Sequence, residues 1–278
     1  MDAPILDFFD EEGVINKETY MATGKGFEKM HLIEEYKISS ALFIFYKNEM
    51  DLICDPALLE DFYTFSNGSN VNQCYIYDKK FVLAICPLGA PSAGGLMEEL
   101  GFMGVKNFFA CGSAGQIDLG KPSSELVLVE KAIRGEGFSY HYQKPSLYAE
   151  TSHHLTEHIA NFLQKRNMKF YKSTTWTTDA FYRETLSEVE LRKKQGAVCV
   201  EMECSGLCAV AKFRGYNFAQ LLYFSDAIKQ EGWAWNAERK QLKIMVIKLM
   251  IDCLIDFCKK NKKNYLDKNQ NKRKLVKK

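Results

Sequence analysis

Three acids sit where two short apolar runs end, and they are the residues of this sequence best placed to do chemistry. The run Val198-Cys-Val-Glu-Met-Glu closes on Glu201 and Glu203, and the run Phe218-Ala-Gln-Leu-Leu-Tyr-Phe-Ser-Asp closes on Asp226. A carboxyl group can hand a proton to a leaving group, and a carboxylate can accept hydrogen bonds from two hydroxyls at once. Between the runs, Cys204, Leu207, Cys208 and Ala211 fall at i, i+3, i+4 and i+7, the stripe of a helix with one buried face. The stretch reads strand, turn, helix, strand. Both strands are mostly apolar, as in a sheet covered by helices on its two faces. Ligands of such sheets bind beyond the carboxyl ends of the strands, so Glu203 and Asp226 are expected to face one pocket although 23 positions separate them. Taken in isolation, the pair reads more readily as two solvated loop acids, since most acids sit in water.

Two stretches rich in small residues could lie against a ligand. Gly89-Ala-Pro-Ser-Ala-Gly-Gly precedes a short helix at residues 96–100, where close backbone approach and helix amides favour an anion or a polar group; tight packing explains the same composition. Gly112-Ser113-Ala114-Gly115 follows a buried strand at 107–111 and reads as a turn with a hydroxyl at the strand tip. His154-Leu-Thr-Glu-His158 fits a zinc pattern, H-x-x-E-H, but lies in a segment that reads as an exposed helix, and no metal is expected. The glycine spacing around Ser113 is wrong for a nucleophile elbow and no histidine follows His158, which excludes a serine hydrolase.

Strands alternating with helices must carry these residues. Strands are expected at 41–46, 74–78, 81–88, 107–111, 126–132 and 170–177, and helices at 28–36, 151–167, 185–195 and 238–260. This pattern specifies an α/β fold: a single domain with a central mixed β-sheet flanked by helices. Residues 1–40 are weakly patterned and read as an N-terminal extension, 41–260 as the domain, and 261–278 as a basic, disordered tail.

Composition narrows the function classes. Apolar content of 46% with 26% charged residues is ordinary for a soluble globule, and no apolar run is long enough to cross a membrane. The acidic N-terminus lacks the basic start of a secretory signal. Nine cysteines, mostly within apolar runs and without C-x-x-C spacing, read as reduced thiols of a cytoplasmic protein. Ten Lys/Arg against one acid at 259–278 give that end +9 of a net +2, leaving the body at −7. A body of that sign is no nucleic-acid surface, and the tail reads as a solvated end.

Taken together, the order and spacing of these pieces resemble the nucleoside phosphorylase superfamily, in the branch of the hexameric purine nucleoside phosphorylases. The resemblance runs from about Phe81 to Arg239. It rests on Gly89-Ala-Pro-Ser-Ala with Glu98-Glu99-Leu100, on Gly112-Ser113-Ala114-Gly115, on Asp179-Ala-Phe-Tyr182, most specifically on Val200-Glu-Met-Glu203, and on Ser225-Asp226 with Glu238-Arg239. It implies a nucleoside-cleaving enzyme with no cofactor beyond phosphate as co-substrate. Asp226 is implied as the acid that protonates the leaving purine, with Arg239 assisting it. Glu203 is implied as the ribose clamp, Met202 as packing under the sugar, and Phe181 as the ring stacked on the base, with Glu201, Ser113 and Gly89 completing the substrate site. The partners implied are a small nucleoside, phosphate and further copies of the chain in a dimer or hexamer; no nucleic acid or membrane is implied.

The sequence departs from the resemblance at the nucleophile. Phosphorolytic members hold phosphate with a glycine and an arginine after the first strand and a second arginine before the Gly-Ser/Thr turn. Lys47, Asp51 and Ala110 stand at those places here. A phosphate dianion without an arginine fork loses strong bidentate bonds. Lys47, Ser113, the amides near Gly89, Arg134 or a neighbouring subunit remain as substitutes. Phosphorolysis of purine nucleosides is therefore the first reading. A hydrolytic nucleosidase of the methylthioadenosine/adenosylhomocysteine type, with Asp51 or Glu49 orienting water, is the second, and a non-catalytic nucleoside-binding relative the third.

Overall fold

The computed structural model describes residues 12–24, 27–46, 50–67, 70–229 and 231–275. The elements are α1 (Lys17–Met21), α2 (His31–Glu35), β1 (Ser40–Ile44), α3 (Met50–Ile53), β2 (Leu59–Asn67), β3 (Asn70–Tyr77), β4 (Phe81–Ile85), α4 (Ala90–Phe102), β5 (Asn107–Gln116), β6 (Leu126–Gly135), β7 (Tyr148–Glu150), α5 (His153–Lys165), β8 (Phe170–Thr178), α6 (Leu186–Lys194), β9 (Ala197–Glu201), α7 (Cys204–Arg214), β10 (Asn217–Lys229), β11 (Gly232–Trp235) and α8 (Arg239–Leu275). The strands form one mixed sheet in the order β11-β10-β6-β8-β9-β5-β1-β4-β3-β2, with β7 on β6. An additional pairing of β10 with β5 closes β10, β6, β8, β9 and β5 into a ring. The expected α/β fold with a central mixed sheet is the fold observed.

Period-two alternation divides the core between the two faces of the sheet. In β1, Ala41 and Phe43 pack with Leu96, Leu100, Leu207 and Val210 from α4 and α7. Leu42 and Ile44 pack on the other side with Leu155, Ile159, Met250 and Leu254 from α5 and α8. Burial on both faces is why the central strands read as unbroken apolar runs. Among the described residues, no helix is long and apolar enough to cross a membrane.

Several elements differ from the sequence expectation, each for a tertiary reason. Gly112–Gly115, expected as a turn, continues β5, because β10 pairs beside it as far as Asp226 opposite Gly115. Ala90 to Gly95, expected as a loop, form the first turns of α4 behind an N-cap at Gly89. Beyond Asp226, β10 runs on to Lys229 and turns back into β11. Where a disordered tail was expected after residue 260, α8 continues as helix to Leu275. Lys and Arg are good helix formers, and extending an existing helix needs no new nucleus. Ahead of β1, α1 is tied to α4 by the Tyr20 hydroxyl, which donates to Glu99 Oε1 (2.6 Å); Tyr63 donates to the other oxygen.

The two histidines of the H-x-x-E-H pattern face different surroundings. His154 is exposed on α5, whereas His158 Nε2 lies 3.3 Å from the Cys253 carbonyl on α8 and packs edge-on to Phe257.

Candidate active site

The carboxyl ends of β5, β9 and β10 open into a cleft of about 720 Å³. Its lining includes Ser113, Phe181, Glu201, Met202, Glu203 and Asp226, six residues from four separate stretches of chain.

Glu201 ends β9 with both oxygens engaged. Oε1 accepts from the Thr177 hydroxyl (2.6 Å), and Oε2 accepts from the amides of Glu203 (2.8 Å) and Cys204 (2.7 Å). It thereby caps the start of α7, where an anion meets unpaired amides and the positive end of the helix dipole. Expected as a substrate-binding residue, it serves in this geometry to fix the turn that presents Met202 and Glu203.

Glu203 is buried, and its Oε1 accepts from the Gly89 amide (2.7 Å). Gly89 has φ +88°, a conformation costly for residues with a Cβ. The glycine of the small-residue stretch thus aims an N–H at the carboxylate, and does not itself line the cleft. Burial, followed by repulsion from Glu201, pushes the Glu203 carboxyl well above the usual carboxylate range. Burial raises Glu201 as well, but its three donors pull it back, so Glu201 ionises more readily of the two.

Asp226 reaches the cleft from β10. Its Oδ1 accepts from the Ser225 hydroxyl (2.5 Å) and its Oδ2 from the indole N–H of Trp233 (2.8 Å). A Cβ added at Gly115 would lie 3.0 Å from Oδ2, so the last glycine of Gly-Ser-Ala-Gly makes room for this carboxylate. Trp233 and Trp235 are edge-to-face in β11, both about half exposed. Asp226 is therefore paired with a hairpin strand whose Trp233 indole holds Oδ2.

Sequence reasoning missed Glu184. It lines the same cleft three residues after Phe181 and has no hydrogen bond or ion pair among the described residues. Burial, then Asp226 and Glu188, push its carboxyl up to about 7. A raised carboxyl pKa means the folded chain keeps its proton to higher pH than the unfolded chain, so stability falls as pH rises from the ordinary carboxylate range through about 7. Glu184→Gln is expected to flatten that decline, with a melting temperature that exceeds the wild type at pH 7.5 and matches it near pH 4.5; thermal melts across this range check it. Parallel curves for the two proteins would remove the assignment. No motif marks Glu184 in sequence. Trp233 and Trp235 were more legible, since Gly-Trp-Ala-Trp alternates as an edge strand does.

The remaining expected residues fall elsewhere. Arg239 lies in an adjoining pocket and not in the lining of the cleft; its guanidinium stacks 4.7 Å from the Trp235 ring, and Nη1 donates to the Asn236 carbonyl (3.2 Å). Arg134 is buried, with its donors spent on Ser139 Oγ, Ser146 Oγ and the carbonyls of Gln143 and Lys144, so it is not free to hold phosphate. Ala110 is fully buried beneath the site. Lys47 and the Asp51 side chain lie outside the described residues.

Comparison with known proteins places this geometry. The chain is 26% identical over 135 residues to a guanosine phosphorylase of Halorubrum lacusprofundi, covering 48% of this chain and 56% of that protein. It is 26% identical over 170 residues to a DeoD-type purine nucleoside phosphorylase of Shewanella oneidensis, covering 60% and 72%. It is 26% identical over 108 residues to a uridine phosphorylase of Haemophilus influenzae, covering 39% and 43%. The chain thus spans little more than half the length of the guanosine phosphorylase it matches. The family model described as the phosphorylase superfamily matches residues 41–250, from the first strand of the sheet into α8 and through every wall of the cleft. With that match covering most of the sequence, the chain belongs to the phosphorylase superfamily.

Proposed function

We propose that this protein cleaves the N-glycosidic bond of purine nucleosides and transfers the ribosyl group to phosphate. The observation that carries the reading is that Glu203 and Asp226, from different strands, line one cleft. The bond from C1′ to the base breaks with its electron pair leaving on the base, while a phosphate oxygen forms the new bond to C1′. Hydrogen phosphate gives up one proton overall and the base gains one, so the products are ribose 1-phosphate and neutral base. Asp226 is assigned to pass that proton to the imidazole side of the purine. Glu203 accepts from the two ribose hydroxyls, with Met202 packed under the sugar. Phe181, exposed at the mouth beside Tyr182, closes on the base as an aromatic platform.

Relatives named guanosine and purine nucleoside phosphorylase support the purine preference, as does the acid at position 226. Against a uridine preference, no glutamine accompanies Arg183 beside the aromatic segment. Hydrolysis is the second reading, favoured by one observation: Ala110 offers no charge to phosphate from the strand under the site. Phosphate is the co-substrate and no cofactor is assigned. The working form is assigned as a cytoplasmic homo-oligomer.

One assay separates the readings: inosine, adenosine, uridine and methylthioadenosine, each with and without phosphate. Turnover of inosine or adenosine that requires phosphate is the expected result. Equal rates without phosphate would select hydrolysis, and tight binding without turnover a non-catalytic role.

A further inference from the structure

Two large indoles stand uncovered beside the cleft. Trp235 lines it and is 55% exposed, and Trp233, two residues earlier in β11, is 47% exposed. Single exposed apolar residues are ordinary, but adjoining ones in a concave site mark a ligand groove. Trp235 is also held in place. The ring of Trp233 meets it edge-to-face with centres 4.4 Å apart, and the Arg239 guanidinium lies 4.7 Å from its ring centre. A ring fixed in this way loses little freedom when a ligand stacks on it.

Sheet register sets where this ring stands relative to the two acids. β9 pairs with β5 at Val200 opposite Gly115, β5 with β10 at Gly115 opposite Asp226, and β10 with β11 at Asp226 opposite Trp235. Glu203 lies just past the end of β9. Along the edge of the sheet the order is therefore Glu203, Gly115, Asp226, Trp235. Opposite residues of an antiparallel ladder project to the same face, so Asp226 and Trp235 look the same way. Neighbouring strands are about 4.8 Å apart, which puts Trp235 one strand beyond Asp226 on the side away from Glu203.

In the reaction above, the ribose lies on Glu203 and Asp226 faces N7 on the imidazole side of the purine. Two substitutable carbons flank N7 on that edge. C8 is bonded to the glycosidic nitrogen and points back toward the sugar, whereas C6 points away from it. A group on C6 is thus carried toward β11.

We propose that the cleft takes purine nucleosides bearing a bulky apolar substituent on the C6 amino group, with that substituent stacked on Trp235. The proposal rests on the nucleoside-cleaving reading above and names its substrate class, the 6-(alkylamino)- and 6-(arylmethylamino)purine ribosides. The substituent takes no part in bond breaking; it adds aromatic contact beyond the base. At about 720 Å³ the cleft falls in the upper half of the range for small-molecule sites, about 300–1,000 Å³.

The test compares N6-benzyladenosine with adenosine on the full chain, each with and without phosphate, and repeats the comparison with Trp235→Ala and Trp235→Phe. Circular dichroism checks the fold, and Trp235→Val, suited to an edge strand, replaces the alanine variant if that one does not fold. In wild type, kcat/KM for N6-benzyladenosine is expected to equal or exceed that for adenosine. The ratio of the two is expected to fall about tenfold in Trp235→Ala, from the lost aromatic pair and its buried area, and to stay within about threefold of wild type in Trp235→Phe. A wild type that cleaves adenosine and rejects N6-benzyladenosine overturns the proposal without any variant and leaves the reaction standing. A ratio that does not change in the folded Trp235→Ala or Trp235→Val protein also overturns it. If neither nucleoside is cleaved under any condition, the reaction falls and calorimetry decides the subsite. Tighter binding of N6-benzyladenosine than of adenosine, lost in the same variant, keeps the subsite; equal binding of the two removes it.

Discussion

Asp226→Ala is expected to lower kcat/KM for inosine or adenosine by about 10²–10⁴-fold, the range that a positioned general acid contributes. The leaving purine carries away the bonding pair, and without a proton it is a poor leaving group, so the loss should fall on kcat more than on KM. The fold should survive. Removing the carboxylate unpairs Ser225 and Trp233, and the indole of Trp233 is about half exposed, so water replaces its lost acceptor. The stability cost should stay near that of one or two ordinary hydrogen bonds, about 1–2 kcal/mol. Steady-state kinetics with a thermal melt of the same sample check both halves. Full activity in a folded variant would refute the acid role.

The surroundings of Asp226 sharpen this expectation. Both oxygens accept hydrogen bonds in the observed state, one from a hydroxyl and one from an indole that cannot accept in return. To pass a proton to a base, the carboxyl must turn Oδ2 from Trp233 toward the ligand. The β11 hairpin thus acts on the acid directly, and the glycine opposite, Gly115, leaves the space in which it turns.

What the sequence made legible follows from how local each signal was. The Cys204–Ala211 stripe and the apolar runs around it are set by burial on two faces, so β9, α7 and β10 appeared where periodicity put them. The convergence of Glu203 and Asp226 was legible because each closes an apolar run; the structure brings them together where β9 and β10 both pair with the end of β5 at Gly115. The roles of neighbouring polar atoms were not legible. Glu201 and Glu203 stand two residues apart in one motif and both line the cleft, yet one has both oxygens engaged by helix amides and Thr177 while the other accepts at Oε1 from the Gly89 amide. That difference depends on a residue 24 positions earlier in the chain. Gly-Ser-Ala-Gly read as a turn because small residues favour turns, whereas pairing with β10 held it as strand.

Glu203→Gln separates activity from stability in opposite directions, which makes it the most demanding test of the site. A carboxylate that accepts from both ribose hydroxyls makes two charge-assisted bonds of about 1.5–3 kcal/mol each, so losing both should lower kcat/KM for a ribonucleoside by roughly 10²–10⁴-fold. The same protein should lose most of its preference for ribonucleosides over their 2′- and 3′-deoxy counterparts, because the group that reads those hydroxyls is gone. Stability should rise. The Gln side chain can still accept from the Gly89 amide through its carbonyl oxygen, while the buried charge facing Glu201 disappears. The pH dependence carries the sign of that change. Glu203 has a raised pKa in the folded chain, so the wild type loses stability as pH climbs above the ordinary carboxylate range and the buried group is forced to ionise. The melting temperature of Glu203→Gln should therefore exceed that of wild type by more at pH 8 than at pH 6, while wild-type kcat/KM climbs over the same interval as the clamp ionises. A variant that keeps the ribose preference, or that melts lower than wild type at pH 8, would show that this carboxyl supports the fold and does not hold the sugar.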